Sequence, residues 1–128
     1  MTDEIRALLP KNKLDDENAK ALVKLGYPAI APVLPELFEC IQDINWPIAH
    51  FIAPFLSTIG EAAFPEIRRI LATSDGTWKY WVLHVVENMT NQTIMGLRDD
   101  LLRVVNNPTK DEVDDEVVKK AQEILARL

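Results

Sequence analysis

Asp75-Gly76-Thr77-Trp78-Lys79-Tyr80-Trp81-Val82-Leu83-His84 joins a turn directly to the most aromatic run in the chain. An aspartate ahead of glycine and threonine is helix-start chemistry, because its carboxylate accepts backbone N–H groups that a first helical turn leaves free. Behind it, Trp78, Trp81, Val82, Val85 and Met89 share one helical face, and Leu83 and Val86 fill another. The pattern predicts a central helix over 78–89, covered by neighbours on more than one side, with Trp78 and Trp81 both in the core. Earlier in the chain Asp43-Ile44-Asn45-Trp46 repeats the spacing Asp-x-(Asn/Thr)-Trp, and Leu34-Pro35-Glu36 is echoed by Phe64-Pro65-Glu66. A recurring supersecondary unit explains both echoes, and it places Trp46 and Trp78 at equivalent helix starts.

Working outward, Ile5, Leu8 and Leu9 have helical spacing behind a Thr2 cap and before Pro10. Asp15-Asp16-Glu17 opens a second helix whose stripe is Ala21, Leu22 and Leu25, with Gly26 as its stop. Pro28, Pro32 and Pro35 predict either one bent helix or a short and a long one over 27–42. Trp46 to Ile59 reads as a helix bent at Pro54. On the far side, Ile94, Leu97, Leu101, Val104 and Val105 mark one helix over 93–105, closed by Asn107-Pro108. A final helix starts near Asp111, with Asp115–Lys119 and Glu116–Lys120 as i,i+4 pairs. No stretch alternates as a strand would. The sum is an all-α domain of about eight helices, a short right-handed solenoid of about four antiparallel pairs spanning residues 1–128.

Composition constrains function mainly by exclusion. At 128 residues the chain is long enough for its own core without a disulfide or structural metal. No apolar run is long enough to cross a membrane. Met1-Thr2-Asp3-Glu4 is acidic where a signal peptide is basic, and Cys40 is the single cysteine, so the expected address is cytoplasmic. A net charge of −6, from 14 basic and 20 acidic residues, disfavours a phosphate backbone as partner. No nucleic acid and no membrane are therefore expected.

Pro28-Ala29-Ile30 before Pro32-Val33-Leu34, followed by Asp43-x-x-Trp46-Pro47-Ile48-Ala49, resembles the loop and second-helix start of a HEAT repeat. Together with Trp78 to Leu83 and the Asn107-Pro108-Thr109 turn, it also resembles a family of small bacterial domains of unknown function, over roughly residues 5–128. The resemblance implies an α-α superhelix and carries no activity with it. The second unit lacks the Pro-Ile-Ala that follows tryptophan in the first.

Chemistry-bearing residues cluster on the tryptophan segments. Asp43 and Asp75 suit caps or turns, and a ligand role is the rarer use of such positions. Trp46, Trp78 and Trp81 suit inter-helix packing, with a ligand platform as the alternative. Tyr80, His84 and Glu87 recur at i, i+4 and i+7, which puts a phenol, an imidazole and a carboxylate within possible reach of one another. General acid–base work uses such groups, but no nucleophile or oxyanion donor accompanies them. His50, His84 and Cys40 have no zinc spacing, and no cofactor motif is present. Arg68, Arg69, Lys79, Arg98 and Arg103 would have to line one concave face to bind nucleic acid; scattered charges and intrachain pairs are the usual outcome. These residues favour a non-enzymatic module that binds a protein or peptide, an immunity or adaptor protein being one form. Asp43, Trp46, Asp75, Trp78, Lys79, Tyr80, His84 and Glu87 are the candidate contacts. A small-molecule or peptide binder at Trp46, Trp78 and Trp81 and a small enzyme centred on His84 are the rivals.

Overall fold

The computed structural model describes residues 2–128, apart from the Thr2 side chain, and the expected Thr2 cap lies outside what is described. Among the described residues every regular element is helical: α1 (Thr2–Arg6), α2 (Asp16–Leu25), α3 (Leu34–Glu39), α4 (Ala49–Ser57), α5 (Phe64–Leu71), α6 (Gly76–Glu87), α7 (Asn91–Met95), α8 (Arg98–Asn106), α9 (Lys110–Asp114) and α10 (Val117–Leu125). Short 3-10 turns at Ala31–Val33 and Gly60–Ala63 lead into α3 and α5. In both cases the second residue of the helix is a proline, where its missing N–H costs nothing.

Ten helices replace the expected eight because two predicted helices each break. The helix expected over 93–105 divides at Gly96-Leu97 into α7 and α8. The last one divides at Asp115-Glu116, where Glu116 takes a left-handed conformation with φ 63°. That break carries away the expected Asp115–Lys119 and Glu116–Lys120 pairs. Lys120 instead contacts Glu87, at 3.1 Å, and Lys110 pairs with Asp114 at 3.0 Å.

Helix α2 packs on α4, α4 on α6, and α6 on α10; α3 packs on α5, and α5 on α6. Arg68 of α5 reaches Asp100 of α8 at 3.2 Å. The core threads between these contacts. Leu22, Leu37, Phe38, Ile52, Leu56, Ile67, Ile70, Val82, Leu83, Val86, Val104, Val117 and Ile124 have almost no exposed surface. Helix α6 touches α4, α5, α9 and α10, which accounts for its apolar residues on several sides. Trp81 departs from this pattern: it is half-buried and stands outside the core cluster, whereas Trp78 belongs to it. The helical period explains the difference. Positions 78, 82 and 85 lie along one stripe toward α5 and α4, and 81 falls past its edge.

The two tryptophan segments share a turn and diverge at the helix. Asp75 is a true cap, its Oδ1 accepting the Trp78 N–H at 3.0 Å, so Trp78 lies inside α6. Asp43 instead closes a tight turn by accepting the Asn45 N–H at 2.8 Å, and α4 does not begin until Ala49. Pro47 is the cause, because the residue before a proline is pushed out of the helical region. Trp46 therefore precedes its helix, and the expected equivalence with Trp78 does not hold.

Candidate functional site

Helix α6 has two polar surfaces, one buried and one open. The buried one is built on Lys79, which has no exposed surface although it is charged. Its Nζ lies 2.8 Å from Asp111 Oδ2 and 3.0 Å from Glu112 Oε2. Arg103 of α8 forks onto the same Glu112, with Nη1 at 2.5 Å from Oε1 and Nη2 at 2.8 Å from Oε2. The Thr109 N–H donates to Glu112 Oε1 at 3.0 Å, one half of a capping box that starts α9. Burial alone would raise the Glu112 carboxyl; the hydrogen bonds from Arg103, Thr109 and Lys79 outweigh it and hold the pKa down at about 2. Asp111 is shifted in the same sense, with burial opposing and Lys79 prevailing. Two cations and two anions in this geometry form a neutral fastener between α6, α8 and α9.

Beside the fastener lies an open cavity of about 500 Å³ lined by Arg68, Thr73, Asp99, Asp100, Arg103 and Asn107, among others. The basic residues that sequence grouped together do not form a free stripe there. Arg68 pairs with Asp100, Arg69 pairs with Glu66 at 2.8 Å and stacks over Trp78, and Lys79 and Arg103 are held by Glu112. Only Arg98 of the five has no ion pair among the described residues.

The open surface carries Tyr80, Trp81, His84 and Glu87. Tyr80 and Trp81 meet edge to face at 4.9 Å between centroids, and Trp81 meets His84 the same way at 6.0 Å. His84 Nδ1 lies 3.0 Å from Glu87 Oε1. Glu87 also takes the Lys120 ammonium on both oxygens, at 3.1 and 3.2 Å, and that ammonium sits over the Tyr80 ring at 5.2 Å. Burial works against the Lys120 charge, yet Glu87 keeps its pKa above the ordinary value. The structure thus brings the three expected polar residues onto one side and adds a fourth from α10. Sequence reasoning missed Lys120 as their partner because it assigned that lysine to Glu116.

His84 also borders a cavity of about 270 Å³ with Ala53, Pro54, Ser57, Thr58, Val85 and Asn88. The two hydroxyls there point to backbone: Ser57 donates to the Val85 carbonyl at 2.8 Å and Thr58 to the Phe55 carbonyl at 2.6 Å. Neither is hydrogen-bonded to the imidazole among the described residues.

The three tryptophans do not assemble into one platform. Trp78 is buried, its Nε1 donating to the Phe38 carbonyl at 2.9 Å, a bond that ties α6 to α3. Trp46 lines a cavity of about 600 Å³ with Leu9, Pro10, Lys13, Glu36, Glu39, Cys40 and Ile48. Burial, assisted by the charge of Glu39, pushes the Cys40 thiol up to about 11, which makes it a poor nucleophile at neutral pH. Trp81 lines a different, smaller cavity with Thr77, Tyr80, Asp115 and Glu116. Glu112, Asp111 and Asp115 were not singled out by sequence as contacts, although Thr109-Lys110-Asp111-Glu112 fits the capping-box pattern that marks Glu112.

No helix is long and apolar enough to cross a membrane, and no group of metal-binding side chains occurs among the described residues. Comparison with functionally curated proteins finds no match. The family model described as "Domain of unknown function (DUF5071)" matches residues 8–125, nearly the whole chain, and the protein belongs to that family.

Proposed function

We propose that the protein is a non-enzymatic interaction module that presents the aromatic face of α6 to another protein. The carrying observation is Trp81, a large aromatic left half-buried outside the core and braced by Tyr80 and His84. Tryptophan and tyrosine dominate the energetic centres of protein interfaces, and rings already held in place lose little freedom on binding. The chain of contacts from α2 through α4 and α6 to α10, alongside α3 and α5, supports a short HEAT-like solenoid of helix pairs in the right-handed α-α superhelix class. Such a stack supplies a rigid edge on which a binding face can sit. The paired basic residues argue against a nucleic-acid partner, and the occupied hydroxyls near His84 argue against an enzyme. A bacterial, cytoplasmic adaptor or immunity protein is the setting this reading favours.

The test is capture from a native extract by immobilised wild-type protein and by the Trp81→Ala variant, followed by mass spectrometry. A stoichiometric protein retained by the first and lost by the second supports the module. The Trp46 cavity carries the second reading. Its Leu9, Pro10, Cys40 and Ile48 walls and its Glu36 and Glu39 carboxylates suit a small amphipathic ligand. Repeated absence of a protein partner, with a metabolite co-purifying and displaced by Trp46→Ala, would favour that reading over the first.

A further inference from the structure

The corner where α6 meets the break between α9 and α10 has a composition that neither the core nor the fastener requires. Thr77, Tyr80, Trp81, Asp115 and Glu116 line an open surface hollow of about 210 Å³. Two of its walls are aromatic rings set at 84° to each other. The third side carries Asp115 and Glu116, both exposed and neither in an ion pair among the described residues. The left-handed turn at Glu116 interrupts the final helix at this point and sets the two carboxylates opposite α6. The corner itself is lined by two acids and no base. Lys120 is paired with Glu87, and the adjoining surface pocket sets Lys119 and Lys120 beside Glu116 and Glu123.

We propose that this corner receives an arginine side chain presented by a protein partner. An aromatic ring attracts a cation through its quadrupole, and Lys120 over the Tyr80 ring shows one cation already held in this way beside the corner. Unpaired carboxylates add charge-assisted hydrogen bonds. A guanidinium satisfies both demands, since its plane stacks on indole while its N–H fork meets carboxylate oxygens. The lysine ammonium is a more strongly hydrated point charge and matches the pair of demands less well. Size decides the source. Pockets for free small ligands run to about 300–1,000 Å³, so this corner accommodates one side-chain head rather than a whole metabolite.

The assignment rests on the α6 face being an interaction surface, and its test is separable from that one. Three short Gly-Ser-flanked peptides, bearing arginine, lysine or citrulline, are titrated into 15N-labelled full-length protein while the indole N–H resonances are followed. Citrulline keeps the shape of arginine without its charge. The expected result is a saturable shift at Trp81 and not at Trp78, whose indole N–H is already bonded to Phe38. Affinity should lie in the millimolar range, about tenfold weaker for citrulline, with lysine intermediate. Trp81→Ala should abolish the binding, read there at the backbone amides of Thr77 and Tyr80, and the Asp115→Asn, Glu116→Gln double variant should weaken it several-fold without altering the thermal midpoint. Equal binding of citrulline, lysine binding as tightly as arginine, or no saturable shift at Trp81 overturns the assignment. Loss of an extract partner in Trp81→Ala without any arginine-dependent shift would leave the interaction module standing and remove the arginine site alone. An arginine-specific shift in a protein that captures no partner would do the reverse.

Discussion

Replacing Lys79 by methionine keeps an unbranched apolar stem in a site with no exposed surface and removes only the charge. The contacts left behind set the size of the loss. Glu112, itself fully buried, keeps the Arg103 fork and the Thr109 N–H, so it does not become a bare charge. Asp111 loses its ammonium at 2.8 Å; the oxygen that held it is buried, although the side chain as a whole is 19% exposed. Removing one member of a buried ion pair costs about 3–5 kcal/mol. The residual contacts place this case at the lower end, about 3 kcal/mol. For a chain of 128 residues that corresponds to a fall in Tm of roughly 10–15 °C. Urea denaturation at pH 7 with linear extrapolation measures the cost directly, and an unchanged slope shows that the folded state keeps its compactness. A Lys79→Met, Glu112→Gln double variant should lose less than the sum of the two single changes, because both report on one contact. A loss below about 1 kcal/mol for Lys79→Met would refute the view that this fastener holds α9 to α6.

Three further outcomes are expected. Glu112 has a folded pKa of about 2 against an ordinary 4.5, so its contribution is fully present above pH 4.5 and is lost as the pH falls toward 2. The shift corresponds to about 3 kcal/mol, and Glu112→Gln should flatten the stability profile across that window. Trp78→Ala should cost roughly 3–5 kcal/mol through a cavity and the loss of the indole bond to the Phe38 carbonyl, whereas Trp81→Ala should cost under about 1 kcal/mol; denaturation of the two variants side by side checks the contrast. Gly76→Ala should be strongly destabilising, since a Cβ there would stand 2.5 Å from the Asp111 carbonyl oxygen and 2.2 Å from Asp115 Oδ2, and a normal Tm for that variant would show that α9 is free to move.

Helical class, the central place of α6 and most helix starts were legible from apolar spacing and capping residues. Asp15 and Asp75 cap as their positions suggest, at Asn18 and Trp78 respectively. The misreadings share a physical origin in effects that are not local to a period of 3.6. Pro47 moved the start of α4 beyond Trp46, although the Asp-x-x-Trp spacing repeated. The break at Glu116 cannot be read from an acidic run that, taken alone, suits a helix N-terminus. Lys79 looked like one more surface cation because its carboxylate partners lie more than thirty residues away, in α9. Trp81 looked like core because sequence gives the face of a residue but not where the neighbouring helices stop. The Tyr80, His84 and Glu87 constellation was visible by spacing, yet Lys120, which joins it, needed the third dimension.

Those same non-local effects shape the proposed arginine corner beside α6. The fastener consumes Lys79 on the buried side and draws α9 against the start of the helix, close enough that only glycine fits at position 76. With α9 pinned there, the chain must turn sharply before α10 can pack on α6, and Glu116 supplies that turn in a conformation unfavourable for its side chain. The turn leaves Asp115 and Glu116 unpaired opposite Tyr80 and Trp81. Core and surface are therefore coupled through one short connection. Loosening the fastener by Lys79→Met should weaken the arginine-dependent shift at Trp81 even though Lys79 cannot touch the ligand, while Trp81→Ala should leave the fastener, and with it the thermal midpoint, intact. Binding unchanged in a destabilised Lys79→Met protein would show that the corner is shaped by α6 alone.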